Sequence, residues 1–528
     1  MFARARKIFY QPMGVGSATL VIALTSLLSR LLGVVRNRIF AAMFGAGNEL
    51  DAYFAAFRIP DFLLNLLILG AFSAAFIPIF TDLISHKKTK RAFEIANSIT
   101  NLILVAMLGV CVLGVIFAPL LMILIAPGFA GEKMQLTIAL TRIMMLSPLV
   151  FGLSTIASGI LNSYRKFFAY GLAPVMYNLG IIGGALIFVP KFGVFGLAIG
   201  VILGACLHLL IQIPATLSTG YRYHLHWNLK DRYLWKIFKL MIPRAAGLAV
   251  SQINLIVITI IASTLIAGSV AIFNFANDLQ SVPVSLCGIS FATAVFPTLA
   301  IHASLKKSGR FIQSFSYTFR QIVFLIVPAS VALFLLRAQI VRLILGTGKF
   351  DWEDTYYTTA TLGLFCLGLI GQALIPLVTR AFFALQDTKT PVLISVISVI
   401  LNVGLSLFFV HTNGVVGLAL AFSISSLINL LLLYFVLHRR LGGLEDLPIL
   451  ITLGKSILNS LVMGAAIYGI LHLVAHFVNM QTVLGIAAQG SAAALVGLAT
   501  YLLVAFIWDC EEVLAVKRLW RKIIGIKI

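Results

Sequence analysis

The 528-residue chain is short of charge. Only 11% of its residues are Asp, Glu, Lys or Arg and just 17 are acidic, whereas 60% are hydrophobic. Soluble domains carry about a quarter charged residues, so a water-facing globular fold is excluded. Polar segments long enough to fold alone are missing as well. The longest polar connection, near 218–239, has room for a loop or a surface helix. Signatures of enzyme chemistry are also lacking: no HExxH, no paired embedded glutamates, no Gly-rich phosphate loop ending in Lys-Ser or Lys-Thr, and no nucleophile elbow. A non-enzyme without cofactor or metal is therefore expected. The few cysteines, Cys111, Cys206, Cys287, Cys366 and Cys510, are far apart and mostly inside apolar runs, which suits packing better than disulfides or metal. His472 and His476 have i, i+4 spacing but no third ligand nearby, which favours an interfacial role.

What is present is a series of apolar runs between residues 18 and 508, each long enough to cross a hydrocarbon core of about 30 Å as a helix. The pattern predicts an all-α polytopic membrane protein of about fourteen helices. They lie near 17–36, 52–81, 95–125, 136–162, 168–189, 193–217, 236–266, 269–300, 312–345, 355–384, 390–411, 414–438, 453–476 and 483–508. Residues 1–225 and 226–445 form two six-helix lobes, and 446–528 adds two helices and a basic tail. The start of the chain has Arg4, Arg6 and Lys7 before its first apolar run and no small-residue cleavage site, so the first helix is expected to remain as an anchor.

A net charge of +22 raises the question of where the cations sit. They fall in alternate loops: Lys87, Lys88, Lys90 and Arg91; Arg165 and Lys166; Arg222, Lys230 and Arg232; Lys306, Lys307 and Arg310; Lys389; Arg439 and Arg440. The opposite loops hold little more than Lys133, Lys191 and Lys349, beside Glu49, Asp51, Glu132, Asp351, Glu353 and Asp354. By the positive-inside rule the first set is cytoplasmic, with both termini on that side. The basic balance is thus a topology signal, and nucleic acid is not the expected partner.

The two halves repeat. GAFSAAFIP at 70–78 echoes GISFATAVFP at 288–297, and GVFGL at 193–197 echoes GVVGL at 414–418, both at a spacing close to 220 residues. Six helices separate equivalent positions, so the repeats run parallel about an axis along the membrane normal, as in some secondary transporters.

Embedded charge is costly, on the order of 2.5–3.5 kcal/mol per ionised side chain at the bilayer centre, which makes exceptions informative. The first helix carries Ser29, Arg30, Arg36 and Asn37, with Arg38 at the interface; the second carries Arg58, Pro60 and Asp61. Arg30 and Arg36 lie roughly 9 Å apart along the axis and about 120° around it, so they can line one wide wall. Arg58 and Asp61 have pairing distance at i, i+3. Arg30, Arg36 and Arg58 have only Asp61 nearby in sequence, with Asp51 at the outer end, so an anionic guest would complete the balance. Guanidinium forks suit phosphate oxygens. Pairing with a helix end or snorkelling are the structural alternatives for Arg30. In the second half, Arg244 and Arg380 suit interface anchors or gates, and Asp278, in NFANDLQ at 274–280, suits a salt bridge or a cation site.

SRLLGVVR at 29–36, FGAGNELDAYF at 44–54, FRIP at 57–60, GAFSAAFIP at 70–78 and QDTKTP at 386–391 together resemble the MurJ (MviN) family of lipid II flippases, over essentially the whole chain. That includes two helices beyond the twelve of its multidrug-exporter and O-antigen-flippase relatives. The resemblance implies two lobes around a cationic cavity and a lateral groove, bordered by the last two helices, for a polyprenyl tail. It puts functional residues on Arg30, Arg36, Asp51 and Arg58. Two family arginines instead fall on Leu64 and Asp278, and a family acid on Ser281, so the cavity is less cationic than the pattern, with Arg58, Arg244 or Arg380 as compensation. The expected function is translocation of lipid II across the bacterial cytoplasmic membrane by alternating access. Arg30, Arg36, Asp51, Arg58 and Asp61 would bind substrate, and Ser29, Asn37, Arg244, Asp278 and Arg380 would be gate or coupling residues. Membrane lipids and cell-wall synthesis proteins are the expected partners. The alternatives are a flippase for another polyprenyl-linked oligosaccharide, a drug/cation antiporter (which calls for an acidic cavity) and a non-transporting scaffold.

Overall fold

Lipid offers backbone amides no water, so apolar segments satisfy their hydrogen bonds internally as helices. The computed structural model describes residues 10–66 and 72–513, and among them no strand occurs. The chain divides into two compact units, Met1–Ala271 and Ile272–Ile528. The helices reached first are α1 (Val15–Phe44), α2 (Asn48–Leu63), α3 (Ser73–Ser85), α4 (Thr89–Ile116), α5 (Ala118–Ile125), α6 (Gly131–Met144), α7 (Ser147–Ser163), α8 (Phe167–Gly183), α9 (Val189–Phe192), α10 (Phe195–Leu210), α11 (Ile213–Leu217) and α12 (Arg232–Ser263). Then follow α13 (Ser269–Pro283), α14 (Ser290–Ser304), α15 (Ser308–Leu335), α16 (Arg337–Ile344), α17 (Trp352–Ala384), α18 (Lys389–Leu441), α19 (Asp446–Ala475) and α20 (Val483–Ile507). Wider π turns occur at Gly184–Phe188 and Val284–Ile289.

By length and composition, eleven of the described helices can cross a membrane, or twelve if the bent pair Arg232–Ile242 and Gly247–Ser263 counts as one span. The expected fourteen counts differently in two places. The 53 residues of α18 are broken at Gly414, where the sequence predicts a new helix. Helices α2 and α3, of 16 and 13 residues, are each shorter than a span and flank residues 67–71, part of the predicted 52–81 and outside the described residues, Gly70 among them. Helix α12, expected to open the second lobe, packs against α2, α3, α4 and α5.

The sequence repeat is written into the backbone. Lys87 and Lys306 have φ of 58° and 52°, and Arg165 and Gln386 have 57° and 60°, unusual values for residues with a Cβ. The predicted helices 95–125 and 312–345 both break, at Phe117 (φ −88°, ψ 8°) and Leu336 (φ −91°, ψ 5°). Each break leaves helix-end carbonyls without amide partners. An arginine supplies one in each unit: Arg142 Nε donates to Val115 O at 3.3 Å, and Arg337 Nη1 donates to Phe334 O. Gly193 (φ 57°, ψ −143°) and Gly414 (φ 55°, ψ −135°) share a conformation open in practice to glycine alone.

Small residues set helix spacing in the first unit. A Cβ on Gly180 would lie 2.3 Å from Gly204 Cα, and one on Gly184 would lie 2.2 Å from Gly200 Cα, so α8 and α10 meet backbone to backbone. Helix α1 packs chiefly along α8.

Candidate functional site

The polar residues of α1 meet two environments. Arg30 is exposed, as are Leu27 one turn before it and Leu31 beside it, and it forms no hydrogen bond or ion pair with a described residue. Arg36 is half-buried, turned toward the first unit by the same 120° offset that the sequence gives. Its Nε and Nη2 donate to Asn37 Oδ1 at 3.2 and 3.0 Å, and its Nη1 donates to Asn178 Oδ1 at 3.4 Å. The guanidinium lies 5.9 Å from the centre of the Phe40 ring, which Tyr53 meets edge-on at 5.3 Å. Asn37 is buried, and Ser29 receives hydrogen bonds from Asn178 Nδ2 at both its hydroxyl (3.0 Å) and its carbonyl (3.2 Å).

In α2, Asp51 is 1% exposed and is filled by donors: Lys133 Nζ at 2.8 Å, Gly268 N at 2.7 Å and Ala271 N at 2.9 Å. It thereby caps, from a different helix, the orphan amides at the start of α13. Arg58 is half-buried and donates from Nε to Thr259 Oγ1 at 2.8 Å. Asp61 accepts from Asn65 Nδ2 at 2.8 Å. Leu64, where the family resemblance puts an arginine, is instead buried against Met107, Phe151, Ala205 and Tyr177. The Tyr177 hydroxyl is buried without a hydrogen-bond partner, within electrostatic reach of Arg36 and Asp61. The structure thus gathers Ser29, Arg36, Asn37 and Asp61 around Asn178 and Tyr177.

Asp278 is half-buried, and its carbonyl accepts from Ser281 Oγ at 2.7 Å. Two residues further on, Gln280 joins an amide chain with Asn277 (3.0 Å) and Gln372 (2.8 Å). Arg380 is half-buried on α17 and has no described partner. The side chain of Arg244 lies outside the described residues. Among the described residues no group of three or more His, Cys, Asp or Glu can hold a metal ion. The His472 and His476 rings each bond a carbonyl four residues back in their own helix, at 2.9 and 2.8 Å.

Two further features are chemical in consequence. An apolar groove of about 570 Å³ between α15, α17 and α19 is lined by Val331, Phe334, Leu367, Gly464 and Tyr468. The QDTKTP turn is a knot: Asp387 accepts from Lys389 N (3.1 Å), Thr390 N (3.0 Å), Thr390 Oγ1 (2.8 Å) and Arg440 Nη1. Burial pushes that carboxyl upward, but hydrogen bonds from Thr390 and Arg440 outweigh it and hold Asp387 below the usual carboxylate range.

Sequence reasoning missed Asn178, Tyr177 and Thr259. The available signal for Asn178 was a lone amide in the apolar run 168–189, four residues after Pro174; an uncharged residue does not show itself on a hydropathy scan.

A family model described as "Lipid II flippase MurJ" matches residues 40–488. A relative from Buchnera aphidicola, named "Probable lipid II flippase MurJ", is 32% identical over 86% of this chain and 89% of its own length. Among solved structures, "Lipid II flippase MurJ, inward closed conformation" superposes with a TM-score of 0.79 at 27% identity, over 94% of this chain and all of that one. An inward-facing multidrug resistance MATE family transporter of the MOP superfamily gives a TM-score of 0.66 at 18% identity, over 81% of this chain and 99% of its own, a likeness of fold alone.

Proposed function

The chain belongs to the MurJ family of lipid II flippases, and from that premise we propose that it carries lipid II from the inner to the outer leaflet of the bacterial cytoplasmic membrane by alternating access. It is a transporter and makes no covalent change. The observation that carries the site assignment is Arg30: a guanidinium in an apolar helix of 30 residues with no described carboxylate to balance it. A diphosphate headgroup supplies that counter-charge, and arginine binds its oxygens in pairs. Arg36, Arg58 and Asp61 complete the contact set, and Asp51 acts by positioning, since its oxygens hold Lys133 and the start of α13. Arg58, Arg244 or Arg380 takes over from the family arginines absent at Leu64 and Asp278. Ser29 and Asn37 adjust Arg36, and Asp278 is the candidate for ion coupling.

The headgroup enters the cationic site while the polyprenyl tail stays in lipid, along apolar surface such as the groove beside α19. The lobes 1–225 and 226–445 rock to expose the head on the far side, and 446–528 serves the tail. The cationic loops and both termini are cytoplasmic, and cell-wall synthesis proteins are the partners. Membrane potential, worth about 2.3 kcal/mol per charge per 100 mV, or an ion gradient drives the cycle. The test is depletion in cells with lipid II counted in each leaflet. Accumulation on the inner leaflet is the expected result, and unchanged distribution excludes the reading.

A further inference from the structure

Helix α8 carries no charged side chain from Phe167 to Gly183, yet α1 packs along it more than along any other described element. Two contacts fix how the pair meets. At Gly171 a Cβ would stand 2.5 Å from Thr25 Oγ1, so only a glycine lets α1 lie this close. Two turns further along α8, Asn178 reaches Ser29 and Arg36 together.

The hydrogen-bond chemistry at Asn178 leaves one orientation for its amide. Nδ2 faces the carbonyls of Pro174 and Ser29, both at 3.2 Å, and those oxygens can only accept. Oδ1 therefore points the other way, to Arg36 Nη1, which can only donate. The 3.4 Å separation is long, and the charge on the donor strengthens it. A side chain here needs donors on one edge and an acceptor on the other. Asp lacks the donors, Leu lacks both, and Gln places the amide one methylene further out. On the other side of the guanidinium, Asn37 Oδ1 takes Nε and Nη2, so two neutral amides from two helices frame its plane.

We propose that Asn178 is a positioning residue of the anion site, locking the Arg36 guanidinium to the Ser29 turn of α1 so that α8 sets the affinity for a lipid-linked diphosphate. The inference rests on the reading that Arg36 meets that diphosphate. Because Asn178 acts through Arg36, its removal lowers affinity only while Arg36 is present.

The experiment is a titration of the full-length protein with synthetic lipid II, with thermal stability recorded in parallel, for wild type, Asn178→Leu, Asn178→Asp, Arg36→Ala and the Arg36→Ala/Asn178→Leu double variant. Each Asn178 variant should bind about tenfold more weakly, the scale of one hydrogen bond to a charged group. The double variant should bind no more weakly than Arg36→Ala alone. A merely structural role predicts losses that multiply in the double variant, and that result overturns the proposal. So does wild-type affinity in Asn178→Asp, which decides the matter should Asn178→Leu fail to fold. If Arg36→Ala itself binds as wild type does, the diphosphate reading of the site fails first.

Discussion

A guanidinium in an apolar helix lowers its cost through a carboxylate, a frame of hydrogen-bond acceptors or a guest anion, and the arginines here differ in which they use. Arg36 has Asn37 and Asn178 among its partners, Arg58 has Thr259 among its own, and Arg30 has no described partner. Replacing Arg36 with alanine should raise the lipid II concentration for half-maximal transport about 10- to 100-fold, corresponding to roughly 1.5–3 kcal/mol for a charged hydrogen bond. Vesicle transport assays read this directly, and an unchanged concentration dependence removes Arg36 from the site. Asp51 behaves differently, because its ionised oxygens serve Lys133 and two backbone amides. Asp51→Ala leaves that lysine without its partner and should cost about 3–5 kcal/mol of stability, visible as a lower melting temperature. A variant that melts like wild type would show that the clamp contributes little.

At the scale of elements, the repeat makes paired predictions. Gly193→Ala and Gly414→Ala each force a Cβ into a region worth about 1–3 kcal/mol of strain, so both should destabilise similarly; Gly16→Ala, with open space around its Cβ, should not. The turn between α17 and α18 carries the pH dependence. Since the Asp387 carboxyl is held below its usual value of about 3.9, its stabilisation is complete above that pH and is lost as pH falls through the lowered folded value. Limited proteolysis at 385–390 should therefore accelerate on acidification, and Asp387→Asn should remove that dependence. Hydropathy revealed where most spans lie, because lipid leaves the backbone few options. It did not reveal the breaks at Phe117, where the run stays apolar, and at Leu336, just before Arg337; carbonyl capping by Arg142 and Arg337 marks both changes. The repeat was legible because the glycines of its GVxGL motifs hold a backbone shape that other residues resist.

For the whole molecule, the charged members of the candidate site stood out in the sequence because charge is rare in it, while the neutral groups that orient them did not. Arg30, Arg36, Arg58 and Asp61 could be picked out as exceptions in apolar runs; Asn178 and Tyr177 required a fold that brings α8 to α1. Family membership accounts for the architecture and for transport without chemistry. The departures at Leu64, packed into an apolar cluster, and at Asp278 leave the proposed anion site with fewer arginines than the resemblance implies. The central claim is that guanidinium groups of α1 and α2 hold the lipid diphosphate. Native mass spectrometry of the purified protein with added lipid II, beside the Arg30→Ala/Arg36→Ala/Arg58→Ala variant, tests it most directly. A bound species in the wild type that is lost in the folded triple variant is the predicted result; equal occupancy in both would contradict the account.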